Sequence, residues 1–124
     1  MRLGNLEPTR DLTYVKDTCS GFLEIYNSEH LIGEIINIGM NSEISIRNLA
    51  KKIMELLEID LSFSKEDERI RPKNSEVERL VCSNEKILKN SSWIPKYDLE
   101  SGLLETIEWF KDNGKMIKAD SYNV

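Results

Sequence analysis

The chain has 124 residues, enough for one domain that buries roughly two-thirds of its unfolded surface, and its 40% apolar and 31% charged content predicts a globular protein with a real core. A net charge of −5 and a pI near 5.0 exclude DNA and RNA as main partners, and in the one locally basic stretch, 65–79, five cations meet five carboxylates. No apolar run reaches membrane length and no signal-peptide pattern opens the chain, so a cytoplasmic protein with no membrane partner is expected.

Residues 2 to 5 end a strand, and Pro8 biases Glu7 away from helix, so 7–9 is a loop before a short strand over 10–14. From Val15 the apolar positions are Val15, Cys19, Phe22, Leu23 and Tyr26, a one-sided helical stripe ending near Asn27. Asp17 lies in the first turn, where the helix dipole favours an acid. Glu34 to Ile38, bounded by Gly33 and Gly39, is an Ile-rich run of the kind buried in a parallel sheet, and it needs neighbours on both sides. The next helix has Ser45 as N-cap and carries Ile46, Leu49, Ala50, Ile53, Met54 and Leu57 on one face. Leu61 to Ser64 alternates as a half-buried strand, and 66–75 is a polar connection where ligand contacts are expected. Val81-Cys82 leads to a short helix over 84–89 capped by Ser83, closed off by Trp93-Ile94-Pro95. The last helix starts at Asp98, buries Leu99, Leu103, Ile107 and Phe110, and ends before Asn113-Gly114, leaving 115–124 as a loose polar tail. Alternating strands and helices indicate the α/β class.

The two cysteines, Cys19 and Cys82, form no Cys-x-x-Cys pair and read as buried free thiols, with no metal or redox motif. His30 stands alone in an exposed-looking turn, and the aromatic residues are spaced as core and turn residues rather than as a base-stacking platform. Asp11 and Asp17 read as structural carboxylates. Arg10 precedes a strand-helix junction; by residue type it is an ion-pair partner of Asp11 or Asp17, or a donor fork for an anion. Arg71, before Pro72, is either a surface arginine at a turn or a second anion contact. Arg79 is a secondary candidate.

The order of Gly4, Arg10-Asp11, Val15-x-Asp17, the run Ile35 to Gly39, Arg71-Pro72 and Trp93-x-Pro95 resembles the C-terminal portion of the extended short-chain dehydrogenase/reductase family. Those proteins are NAD-dependent nucleotide-sugar epimerases and 4,6-dehydratases, and the resemblance covers about residues 1–112. It implies the C-terminal part of a Rossmann-type fold plus its substrate-binding lobe. Residues 1–40 would be the last strand-helix-strand portion of the Rossmann domain, 41–112 the nucleotide-sugar-binding lobe, and 113–124 a polar tail. It further implies that Arg10 and Arg71 hold the substrate pyrophosphate, with Arg79 a secondary contact. The family's usual Arg-Pro-Gly-Asp or Arg-Pro-Gly-His is here Arg71-Pro72-Lys73-Asn74, which puts any contact after the proline in doubt. The runs 75–80 and 118–123 look most like dehydratases acting on a UDP-N-acetylhexosamine.

Hydride chemistry in that family needs a Gly-rich turn for the dinucleotide and a Tyr-x-x-x-Lys pair. The six glycines are not spaced for the turn, and Thr18, His30 and Ser101 stand four residues after Tyr14, Tyr26 and Tyr97. The resemblance therefore implies NAD in the parent enzyme, bound outside this chain, with substrate binding here and no catalysis. A stand-alone interaction or regulatory domain, or part of a 4-epimerase, are the other readings. An Ile-rich strand without its neighbours predicts self-association or rearrangement, hence a homo-oligomer.

Overall fold

Two helix starts follow directly from local chemistry. The Ser45 hydroxyl accepts from the Asn48 backbone N–H at 3.2 Å, and the Asp98 carboxylate accepts from the Ser101 N–H at 2.8 Å. Each supplies an acceptor that first-turn amides otherwise lack. The computed structural model describes residues 2–62, 64–65 and 77–114. The predicted connection 66–75, with Arg71 and Pro72, and the predicted tail 115–124 lie outside the described residues. The elements in chain order are β1 (Arg2–Leu3), β2 (Thr9–Arg10), α1 (Val15–Tyr26), β3 (Ile44–Ser45), α2 (Ile46–Leu56), β4 (Ser64–Lys65), β5 (Arg79–Leu80), α3 (Glu85–Asn90) and α4 (Leu99–Asn113). A 3-10 turn covers Glu29–Leu31.

β1 pairs with β4 in parallel. β2 is the middle strand of a second sheet, antiparallel to β3 and parallel to β5, with Thr9 opposite both Ser45 and Arg79. The predicted strand over 10–14 pairs only as far as its start, and Asp11 is the reason. Its N–H still reaches the Leu80 carbonyl at 3.0 Å, but its carboxylate then accepts from the Met40 and Cys82 N–H groups at 3.0 and 3.1 Å. A side chain thus replaces the ladder for both flanking segments. The approach is close: a Cβ on Gly39 would lie 2.3 Å from the Cys82 Cβ.

Asp17 performs the same service for α1. It is 1% exposed, and its two carboxylate oxygens accept from the Lys96 and Tyr97 N–H groups at 2.9 and 3.0 Å. Trp93 Nε1 donates to the Asp17 carbonyl and to the Ser20 hydroxyl, both at 3.1 Å. The acid read as a dipole partner of its own helix stands in the first turn of α1 and also anchors the 93–97 turn. Among the described residues Leu31, Ala50, Ile87 and Trp93 form the buried hydrophobic core, and Trp93 and Ile87 are its largest fully buried side chains.

Several expectations change at this level. The apolar stripe of α1 exists, but Val15, Cys19, Phe22, Leu23 and Tyr26 are all exposed. The face toward the protein carries Asp17 and Gly21, because the 93–97 turn needs an acceptor and Ile38 needs space: a Cβ on Gly21 would meet Ile38 Cδ1 at 2.8 Å. Cys19 is accordingly exposed rather than buried, although both thiols are free as expected. Residues 34–38 are not a strand here, since no described segment pairs with them. The predicted strand at 61–64 pairs only at Ser64–Lys65. α3 is preceded by Asn84 rather than capped by Ser83, and the Asn84 amide donates to the Gly39 carbonyl at 2.8 Å instead of capping. On α4 the buried residue is Gly102, against Tyr14, while Phe110 is half exposed and meets Trp109 edge-on at 5.2 Å. The expected core is therefore thin among the described residues.

Asp17→Ala leaves the Lys96 and Tyr97 amides without their acceptor and should cost about 3 kcal/mol, read as a lower urea midpoint. Gly39→Ala forces the Asp11-Cys82 junction apart and should lower the same midpoint by the equivalent of about 2 kcal/mol. A wild-type midpoint in either variant would show that its contact does not hold the fold.

Candidate functional site

β2 and β5 place Arg10 and Arg79 on adjacent strands, with Arg10 opposite Leu80 and Thr9 opposite Arg79. Successive strand residues face opposite sides, so Thr9, Arg79 and Glu43 share one face and Arg10 is presented to the other. On the first face Arg79 Nε donates to both Glu43 carboxylate oxygens, at 2.9 and 3.0 Å, and Nη2 lies 2.8 Å from Oε1. Thr9 donates its hydroxyl to Glu43 Oε2 at 2.5 Å. One carboxylate thereby ties together all three strands. The hollow beside it, about 480 Å³, is lined by Glu7, Glu43 and Glu78 as well as Arg79, and Glu7 is itself paired with Arg47 at 2.5 Å. Arg10 is half-buried and donates Nη1 to the Thr9 carbonyl at 2.7 Å.

Past Asp11 the chain runs between two open clefts that share Leu12, Asp98 and Leu99. The first, about 320 Å³, is mostly apolar and is lined by Leu12, Val15, Leu103 and Gly102 among others; the second, about 260 Å³, reaches Met40 and Glu43. A polar knot stands at the mouth of the first. Tyr14 donates its hydroxyl to Glu105 at 2.9 Å, Lys16 pairs with the same oxygen, and the Lys16 ammonium lies 5.7 and 5.6 Å from the Tyr14 and Tyr97 ring centres. The two rings are 4.6 Å apart. This knot joins the start of α1 to α4, and Lys52 joins α2 to α4 through Glu100 at 2.5 Å.

The charged groups are tuned for holding. Arg79, then Thr9, keeps the Glu43 carboxyl below the usual range, and Lys16, then Tyr14, does so for Glu105. Lys16 and Arg79 are raised in turn by the hydrogen bonds to their carboxylate partners. Partial burial and the Glu105 contact push the Tyr14 hydroxyl up, and burial with the Asp11 carboxylate pushes the Cys82 thiol up. Each of these shifts moves a pKa further from 7, so Glu43, Glu105, Lys16 and Arg79 stay charged and Tyr14 and Cys82 stay neutral near pH 7. The arrangement fixes charge rather than moving protons. Among the described residues no three His, Cys, Asp or Glu side chains gather to hold a metal, and no helix is long and apolar enough to cross a membrane.

The sequence profile of the GDP-mannose 4,6-dehydratase family matches residues 1–106. The chain belongs to this family. It is 34% identical over 110 residues to dTDP-D-glucose 4,6-dehydratase of Bos taurus, covering 85% of this chain and 30% of that protein. Its fold matches dTDP-glucose 4,6-dehydratase from Bacillus anthracis, solved with NAD, at a TM-score of 0.78 and 28% identity over 94% of this chain and 36% of that one. It also matches UDP-glucose 4-epimerase from Thermotoga maritima, solved with UDP-glucose, at 0.79 and 25% identity over 91% and 35%. These relatives are nucleotide-sugar dehydratases and epimerases of the extended short-chain dehydrogenase/reductase type, so the family and the Rossmann-type α/β class read from the motifs hold. The chain spans about a third of the length of these family members.

Of the three arginines singled out in the sequence, the fold brings Arg10 and Arg79 to one sheet and engages Arg79 with Glu43, while Arg71 lies outside the described residues. Glu43 and the Tyr14, Lys16, Tyr97 and Glu105 knot went unread. Their partners lie tens of residues apart, and the one local sign was Tyr14 and Lys16 two positions apart at the strand-helix junction.

Because Glu105 is held below its ordinary value of 4.5, its ion pair stabilises the fold above that value and loses its effect as pH falls through the lowered one. Glu105→Gln should melt below wild type at pH 7, and the difference should shrink on acidification below about pH 4 and in high salt. Melting curves across pH check this; a difference that stays constant to acid pH would remove Glu105 as the titrating group.

Proposed function

We propose that this chain is the substrate-binding segment of an NAD-dependent nucleotide-sugar 4,6-dehydratase, gripping the pyrophosphate that joins nucleoside to sugar. The observation that carries the reading is Arg10 on β2, the central strand of the three-stranded sheet, within a chain of this family. A pyrophosphate carries about two negative charges and planar oxygen pairs that a guanidinium meets with parallel hydrogen bonds. Arg10 and Arg71 are the primary contacts. Arg79 is secondary, because it faces the other side of the sheet from Arg10 and its fork must first leave Glu43.

Residues 1–40 belong, on this reading, to the Rossmann domain and 41–112 to the nucleotide-sugar lobe. NAD and the residues that oxidise and re-reduce the sugar are supplied by the rest of the enzyme, so this chain alone binds substrate weakly and does not catalyse. The intact enzyme is cytoplasmic and homo-oligomeric in this proposal, and a 4-epimerase of the same build is its nearest rival. A stand-alone interaction domain would bind no nucleotide sugar in any context.

The test is calorimetric titration of UDP-glucose and UDP-N-acetylglucosamine into this chain joined to the cofactor-binding portion of a relative. Arg10→Ala and Arg71→Ala should each weaken binding about 10- to 100-fold, the effect expected when a hydrogen-bonded charge pair is lost. Arg79→Ala should weaken it less. Unchanged affinity in both the Arg10 and Arg71 variants would end the pyrophosphate assignment.

A further inference from the structure

The sequence holds one Asn-Gly pair, Asn113-Gly114, and the fold places it at the end of α4. An asparagine amide is most open to attack by its own backbone when glycine follows, because the attacking nitrogen then belongs to a residue with no Cβ to hinder its approach. Asn113 is the last residue of α4 and half-buried, and Gly114 is exposed. A Cβ at Gly114 would meet nothing within 4 Å, so no described segment packs over the pair. Two features hold the pair apart in the folded chain. Gly114 keeps right-handed geometry, with φ −57° and ψ −26°, and the Asn113 amide donates to the Trp109 carbonyl at 2.9 Å. In a helix the Cα–Cβ bond tilts toward the N-terminus, so this amide leans back over the preceding turn and away from the Gly114 nitrogen. What separates the reacting atoms is therefore one terminal turn, and helix ends open far more easily than the body of a fold. Other asparagines lack one part of this arrangement. Asn84 is buried, with its amide bonded to the Gly39 carbonyl, and Asn90, which ends α3, precedes Ser91 rather than glycine.

We propose that Asn113 is a self-modification site, deamidating when the last turn of α4 opens. The Gly114 backbone nitrogen attacks the Asn113 Cγ and gives up its proton, the Cγ–Nδ2 bond breaks, ammonia leaves, and a five-membered succinimide remains. Water then opens either of its two carbonyls to give aspartate or isoaspartate, so that one water enters for each ammonia lost. No oxidant, cofactor, substrate or second protein takes part. The product carboxylate stands next to Asp112 at the negative end of the helix dipole, and it has lost the donor that reached the Trp109 carbonyl. The turn that carries the Trp109 and Phe110 ring pair is thereby loosened, and the change is one-way.

Peptide mapping by mass spectrometry tests the site, on the 124-residue chain incubated in warm, mildly alkaline buffer beside a synthetic peptide of residues 109–118 as the unfolded reference. Asn113 in the chain should turn into aspartate and isoaspartate about 10-fold more slowly than in the peptide, the protection expected of a helix end. Gly114→Ala, for which the fold has room and an ordinary φ, should slow the conversion at least about 10-fold further. An Asn113 that stays an amide after the peptide has converted would overturn the site. Conversion at the peptide's rate would overturn its control by α4, and an unchanged rate in Gly114→Ala would overturn attack by the Gly114 nitrogen. Asn113→Asp reads the consequence: its amides at 110–114 should exchange faster than those of the wild type, with the rest of the chain unchanged. Equal exchange at 110–114 would overturn the loosening of the turn.

Discussion

A single buried carboxylate organises this chain. Asp17 lies one turn into α1, and its two oxygens receive the backbone N–H groups of Lys96 and Tyr97, while its carbonyl receives the Trp93 indole. A charged acceptor out of water is costly unless its lone pairs are filled, and here they are filled by backbone that has no other partner. Holding the 93–97 turn brings Trp93 into the interior and aims α4 back across α1. That path creates the close approach of Gly102 to Tyr14, the ring contact between Tyr14 and Tyr97, and the cleft beside Leu12.

Asp11 and Glu43 extend the same principle to the sheet. Asp11 bridges two segments that are not strands, and Glu43 ties together three strands that are each two residues long. Strands that short contribute few ladder bonds, so side-chain acceptors set their positions. A sheet stitched by carboxylates also presents its guanidinium groups in fixed places. The pKa shifts of Glu43, Arg79 and Glu105 all favour the charged forms, so these groups stay charged near pH 7.

The thin core and the exposed stripe of α1 belong together. A helix whose inner face is given to Gly21 and Asp17 cannot bury Val15, Phe22 and Tyr26 against its own chain. The Ile-rich run at 34–38 beside it pairs with no described segment. The chain corresponds to about a third of the length of these relatives.

Much of the fold was legible in the sequence where the deciding chemistry is local. Ser45 and Asp98 cap their helices as read, α1, α2 and α4 fall where the apolar period puts them, and the spaced motifs from Arg10-Asp11 to Trp93-x-Pro95 carry the family. Arg10 and Arg79 were singled out by residue type and order and stand on one sheet, whereas Glu43 and the Tyr14-Lys16-Glu105 knot gave no sign of their partners. Periodicity states that one side of a helix is apolar, but not whether anything covers it, which is why the α1 stripe was assigned to the core. An Ile-rich run states β propensity, but pairing needs a neighbour that only the assembled sheet provides. The sequence by itself determined the caps of α2 and α4, the placement of α1, α2 and α4, and the family, because caps and helical period depend on residues within a few positions of one another and the family on short motifs. The tertiary structure alone decided the partners of Asp11, Asp17 and Arg79 and which apolar face stays open, because those depend on segments brought together across as many as eighty positions.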